Sequence, residues 1–258
     1  MLLLRIGSLL LLGVSIICCK TETTSKEVNV EPISTSALEV LDFHLIFSEQ
    51  HLDTISVKVE QDPFFLMPKR YKGIALMDVL SKYAPNMLKD TAGRLLVFEC
   101  TDGYQPTMPI SLAMNYPAYV VFQDEDAEVG KQWLDSVVGK FAPYYLVWQV
   151  DSVVSKGLPN PYGLVRMSFQ SFETQYANAY PKGDDLALAG FEVYKKHCIK
   201  CHSINKAGGN VGPELNYPKN ITEYWRKEDM WNFIQHPQSY RYNSKMPAQH
   251  ISKDDFDW

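Results

Sequence analysis

Cys198-Ile199-Lys200-Cys201-His202 is the stretch that decides how this 258-residue chain is read. Two thiols separated by two residues can each add to one vinyl group of the same porphyrin, and a histidine directly after the second is then held beneath the iron. Spacing and chemistry require each other, so Cys198 and Cys201 are read as the attachment points of one haem c and His202 as the proximal ligand of its iron. A zinc site would need a second pair of ligands, and no further cysteine follows Cys201. A redox-active Cys pair would sit beside a βαβ pattern, which the neighbouring sequence lacks.

Outward from the motif, apolar periodicity and caps predict a helix over Leu186 to His197, a second over Ile221 to Ile234, and the capped first turn of a third at Ser252-Lys253-Asp254-Asp255. Gly190, Tyr194 and Cys198 stand at successive steps of four, Gly212-Pro213-Glu214-Leu215 follows the motif, and Met246-Pro247 lies further on. On these residues the segment 186–258 resembles a small class I cytochrome c domain. The resemblance implies an all-α domain in which the glycine and aromatic of the first helix pack on the last, the proline lies beside the proximal histidine, and Met246 supplies the sixth iron ligand. It also implies a last helix running two or three turns beyond Asp257-Trp258, so residues 186–258 are expected to lack most of it.

Met230, His236 and His250 compete with Met246 for the iron, but Met230 falls in an amphipathic helix, His236 precedes a proline in a turn, and His250 adjoins a helix start. His197 is given no haem role. Lys195, Lys196, Lys200 and Lys206 near the motif are read as a solvated face in preference to a steering patch for an acidic partner.

The rest of the chain is organised differently. Arg5 precedes the apolar run Ile6 to Ile17, which is too short for a membrane span and matches a signal-peptide core. The run ends at Cys18-Cys19 before an abrupt switch to polar residues, so residues 1–19 are read as a lipoprotein signal with Cys19 lipidated. Export agrees with haem attachment, which takes place outside the cytoplasmic membrane. Residues 20–36, rich in Thr, Ser, Glu and Lys, cannot bury enough surface to offset chain entropy and are expected to form a linker.

Residues 37–172 predict an α+β domain with a mainly β core: a helix over Tyr71 to Tyr83, strands over Leu95 to Cys100, Ala118 to Phe122 and Tyr144 to Val150, and a half-buried strand with Val165, Met167 and Phe169. A turn-rich passage over 173–185 reads as a second linker. Tyr71-Lys72-Gly73-Ile74-Ala75-Leu76, Glu99-Cys100-Thr101-Asp102-Gly103-Tyr104 and Ala142-Pro143-Tyr144-Tyr145-Leu146-Val147 give this domain a weaker resemblance to the molybdopterin-binding domain of sulfite-oxidase-like proteins. There a strand-end cysteine ligates molybdenum, which would make Cys100 the ligand. Arg70, Arg94 and Arg166, with His44 and His51, are the domain's only arginines and histidines, too few for an anionic pterin, so a cofactor-free relative is favoured, with Asp102-Gly103-Tyr104 a simple turn.

The composite expectation is a multidomain protein: an α+β sulfite-oxidase-like domain followed by an all-α cytochrome c domain. Residues 186–258 carry 10 Lys/Arg against 8 Asp/Glu, leaving 15 against 22 for residues 1–185, so neither part is basic enough for a nucleic-acid partner. An exported, lipid-anchored periplasmic electron carrier that serves a redox protein or a respiratory or dehydrogenase complex is preferred. The alternatives are a molybdenum-dependent oxidoreductase delivering electrons to its own haem, and a haem-based sensor.

Overall fold

β7 (Tyr144–Trp148) is apolar at every position because both faces of the sheet it belongs to are covered. Tyr144, Leu146 and Trp148 enter a layer built on the helices Phe43–Ser48, Leu76–Tyr83 and Ile110–Asn115, whereas Tyr145 and Val147 enter a second layer with Tyr71, Trp133 and Phe141. The computed structural model describes residues 40–49, 52–183 and 185–257. The other strands of the sheet are β1 (Val40–Asp42), β2 (Ile55–Val59), β3 (Lys69–Ala75), β4 (Arg94–Cys100), β5 (Thr107–Pro109), β6 (Ala118–Asp124) and β8 (Tyr162–Ser171).

They lie in the order β2-β3-β6-β7-β8-β4-β5, with β1 added to β8 and every pairing antiparallel. β8 pairs with β7 through Tyr162 and Leu164 and with β1 through Arg166 to Ser168, while β4 runs along its other side. Breaks in register at Lys72/Gly73, Glu99/Cys100 and Tyr144/Tyr145 help to curl the sheet. The leader, the linker 20–36 and Cys19 lie outside the described residues, as do His51 and Trp258.

Several elements differ from the sequence expectation. The segment Tyr71 to Ala75 belongs to β3, and the helix begins only at Leu76. Lys69, Tyr71 and Gly73 are buried in alternation with exposed Arg70 and Lys72, a period of two that the helical spacing of Ile74, Leu76, Met77 and Leu80 had masked. The predicted helix over Ile221 to Ile234 is two pieces, a 3₁₀ turn Ile221–Glu223 and a helix Lys227–Gln235. Asn220 and Glu223 form a capping box that closes the first turn on itself, and extended backbone at Arg226 starts the second.

The C-terminal region is helical, with Asp185–His197, Lys227–Gln235, Pro237–Tyr240 and Lys253–Asp257, the last packed on the first. It is not purely α: Ser203–Ile204 and Ala207–Gly208 pair as a two-residue hairpin whose turn residues Asn205 and Lys206 both have positive φ. The expected second linker carries a helix, Phe172–Tyr176, capped by the Ser171 hydroxyl. Its Tyr176 is buried with Phe191 and Ile199, against Leu95, Phe172 and Tyr194. Sheet and helical region therefore share an aromatic seam, and residues 37–258 form one compact unit.

Candidate haem site

The helix Asp185–His197 runs directly into the motif. The amides of Cys198 and Ile199 donate to the Tyr194 carbonyl (2.8 and 3.0 Å), and those of Cys201 and His202 to the Cys198 carbonyl (3.0 and 2.9 Å). A helical turn places residues at i, i+3 and i+4 on one face, which is the relation of Cys198, Cys201 and His202. The Tyr194 hydroxyl donates to the His202 carbonyl (2.7 Å), so the aromatic four residues before the motif ties down its last residue.

His202 Nδ1 lies 2.8 Å from the Pro213 carbonyl oxygen. That oxygen can only accept, so Nδ1 carries the proton and the Nε2 lone pair is left for a metal. The Gly212 amide donates to the Cys201 carbonyl (2.8 Å), which brings the Gly212-Pro213 backbone against the ring. A Cβ at Gly212 would stand 2.6 Å from both ring nitrogens, so only glycine admits the imidazole here.

Burial pushes the Cys198 thiol up to about 11, aided by Cys201 and opposed by Lys200. The Cys201 thiol is also raised, by burial first, with Lys200 opposing and Asp102 adding to it. Both are therefore neutral thiols near pH 7, and they are not joined as a disulfide. Leu215, Trp225, Trp231, Phe233, Ile234 and Met246 are all half-buried, and the helix Lys227–Gln235 buries none of its residues fully. Two thiols on one helical face and one ring nitrogen with a free lone pair fit a porphyrin with iron at its centre.

Met246 is half-buried in the loop after Pro237–Tyr240. Its amide donates to the Ser244 hydroxyl (3.3 Å), its carbonyl accepts from Gln238 Nε2 (3.0 Å), and the Gln249 amide donates to the Ile234 carbonyl (2.9 Å). The loop is thus fastened to the two preceding helices. His236 and His250 are exposed, and Met230 is half-buried within its helix. His197 is lowered by burial and by Lys196 and Lys200.

Cys100 ends β4, buried, at the mouth of a turn in which its amide donates to the Tyr104 carbonyl (3.1 Å) and its carbonyl accepts from the Gly103 amide (3.0 Å). This turn abuts the haem motif. The Gln105 amide donates to the Lys200 carbonyl (2.9 Å), and the Asn210 amide to the Gly103 carbonyl (3.1 Å). Gly103 has φ of 87°, and a Cβ there would collide with the Asn210 side chain, its Cγ only 2.7 Å away.

The turn and the hairpin region enclose a cleft of about 710 Å³ that includes Glu99, Cys100, Asp102, Arg166, Lys206 and Glu214. Arg166 is engaged with Glu99 at 2.8 Å. Burial raises the Cys100 thiol well above the ordinary range, and Asp102 and Glu99 raise it further. Three carboxyl groups, with Arg166 already paired to one of them, make a poor lining for an anionic pterin.

The backbone partners were invisible in the sequence reading: the Pro213 carbonyl, and the Gln105 and Asn210 amides that join turn to motif. The glycines at 103 and 212 were the available signal, since each marks a close approach. Residues 185–258 match the family model described as cytochrome c oxidase, cbb3-type, subunit III. That match covers the whole helical region, which is a c-type cytochrome domain and implies haem c and a role in electron transfer. No curated protein is similar enough to the chain to match it.

Proposed function

We propose that this chain is an exported electron carrier with one haem c held by Cys198 and Cys201, ligated by His202 and Met246, and tethered to a bacterial membrane through Cys19. The observation that carries the reading is the bond from His202 Nδ1 to the Pro213 carbonyl, with Cys201 next to the histidine and Cys198 one helical turn before it. It leaves Nε2 as a ligand of fixed orientation, and a hydrogen-bonded imidazole is the more basic for it. When bound, the haem supplies one-electron exchange at its iron.

The chain's own contribution is to hold and to tune. Cys198 and Cys201 would hold the macrocycle covalently, and His202 and Met246 would hold its iron, a thioether giving a higher reduction potential than a second nitrogen ligand. The β-rich region, fastened to the motif through Gln105 and Asn210, orients the cytochrome domain on a redox partner or a respiratory or dehydrogenase complex.

Replacing Met246→Ala tests the ligand. The variant is expected to lose the sulfur-to-iron charge-transfer band of the oxidised protein and to fall in reduction potential; an unchanged band would move the sixth ligand elsewhere. Metal analysis of the purified protein tests the alternative centred on Cys100. One iron per chain without molybdenum is expected, and molybdenum near one equivalent per iron would replace the carrier by a molybdenum-dependent dehydrogenase.

A further inference from the structure

Between β2 and β3 the chain reads Gln61-Asp62-Pro63-Phe64-Phe65-Leu66-Met67-Pro68, an apolar loop bounded by prolines. Its base is fixed by a buried acid. Asp62, with no exposed surface, accepts from the amides of Phe64 and Phe65 (2.8 and 3.0 Å) and from the hydroxyls of Tyr71 and Tyr145 (2.8 and 3.2 Å). The Asp62 amide donates to the Met67 carbonyl (2.9 Å) and the Leu66 amide to the Asp62 carbonyl (2.8 Å), closing the loop on itself.

The apex is strained and apolar together. Leu66 is held at φ of 56°, a region that a leucine avoids, and its side chain is 72% exposed. Met67 is 53% exposed; Phe64, at 39%, shows one edge while its ring packs edge-on to Phe141 (5.0 Å) and Tyr162 (5.9 Å), and Phe65 packs inward on Phe141. Singly exposed apolar residues need no explanation, but three on one rigid apex do. Lys140 Nζ stands 5.5 Å from the centre of the Phe64 ring, a cation at the rim of the apolar tip.

From this geometry we infer that the loop is a membrane-contact site, with Phe64, Leu66 and Met67 entering the interface of a phospholipid bilayer and Lys140 meeting headgroup phosphates. Exposed apolar side chains with a cation at their rim suit the apolar-to-phosphate boundary of a bilayer, where a protein partner would have to supply a matching cavity. The inference rests on the anchor reading of Cys19: residues 20–39 span at most about 70 Å when extended, so the folded unit stays close to the bilayer and a weak contact is populated. No helix among the described residues is long and apolar enough to cross a membrane, so the contact is interfacial. Its consequence is orientation: the loop sets which side of the cytochrome domain faces the membrane.

The test uses the full chain reconstituted on vesicles of phosphatidylethanolamine and phosphatidylglycerol carrying brominated acyl chains. Met67→Trp is expected to add a quenched, blue-shifted emission, whereas Val153→Trp, which is exposed on the helix packed with the opposite apolar layer, adds an unquenched one. Equal quenching at the two sites, or none at either, overturns the inference. So does Met67→Trp emission already shielded from iodide without vesicles, which would mean that another segment or a second copy covers the loop.

Failure of the chain to stay with vesicles would count against the anchor alone. The same variants of residues 37–258, held by an N-terminal hexahistidine on nickel-chelating lipid, then read the loop by itself. Leu66→Asn with Met67→Ser keeps a residue that tolerates positive φ and is expected to weaken binding of residues 37–258 to lipid without the chelator at least about tenfold.

Discussion

Single atoms set the haem site. Gly212→Ala places a methyl group where the His202 ring lies, so the ring or the Gly212-Pro213 backbone must move. The expected cost is about 1–3 kcal/mol of stability with a weakened iron–imidazole bond, measured by denaturant unfolding and by the absorption spectrum of the oxidised variant. Glu214 acts on the same loop. Burial alone would raise its carboxyl, but the amides of Lys206, Asn216 and Asn205 and the Ser203 hydroxyl hold it below its ordinary 4.5. A depressed carboxyl stabilises the folded state fully above its unfolded value, and that contribution is lost as pH falls through the folded value. The hairpin region is therefore expected to loosen below about pH 4.5, and Glu214→Gln to be less stable at neutral pH with a flatter acid response; unfolding curves across the acid range measure both. At this scale the proposed attachment residues stand out because the chemistry of attachment demands their spacing. The Pro213 carbonyl was not, since a main-chain acceptor exists at every position.

Among the elements, buried Asp62 ties the sheet to the loop between β2 and β3. Asp62→Ala leaves the Tyr71 and Tyr145 hydroxyls and two amides without their acceptor, and the expected loss is about 3 kcal/mol or more in chemical denaturation. The haem spectrum of the folded variant should be unchanged, because the loop belongs to the layer of Phe141 and Trp133 and not to the seam with the cytochrome domain. β4, β6, β7 and β8 were readable from their runs of aromatic and β-branched residues. β3 was not, because the inward positions of its alternation are Lys69, Tyr71 and Gly73, two of them not apolar, while Ile74, Leu76, Met77 and Leu80 fit a period of 3.6. The split of Ile221 to Gln235 was written in the Asn220 and Glu223 capping box, a signal shorter than the apolar periodicity that overrode it.

The molecule as a whole is a cytochrome domain built onto a curled sheet, and the turn Cys100 to Gln105 is the joint. Gly103→Val adds a branched side chain at φ of 87° against Asn210 and is expected to cost about 1–3 kcal/mol. The amides of Gln105 and Asn210 should then exchange faster with solvent deuterium while the covalent haem is retained, which separates a loosened joint from a damaged haem site. The sequence by itself marked residues 198–202 as the candidate haem motif of a cytochrome domain and determined most strands of the sheet, because thiol spacing and apolar patterning are local properties that side chains carry. Only the tertiary structure decided that the β-rich region clasps the haem motif, and that an apolar loop is turned outward on a buried aspartate. The joint is made of amides and carbonyls, which every residue has and no sequence pattern marks, and the loop's exposure depends on what the rest of the chain leaves uncovered.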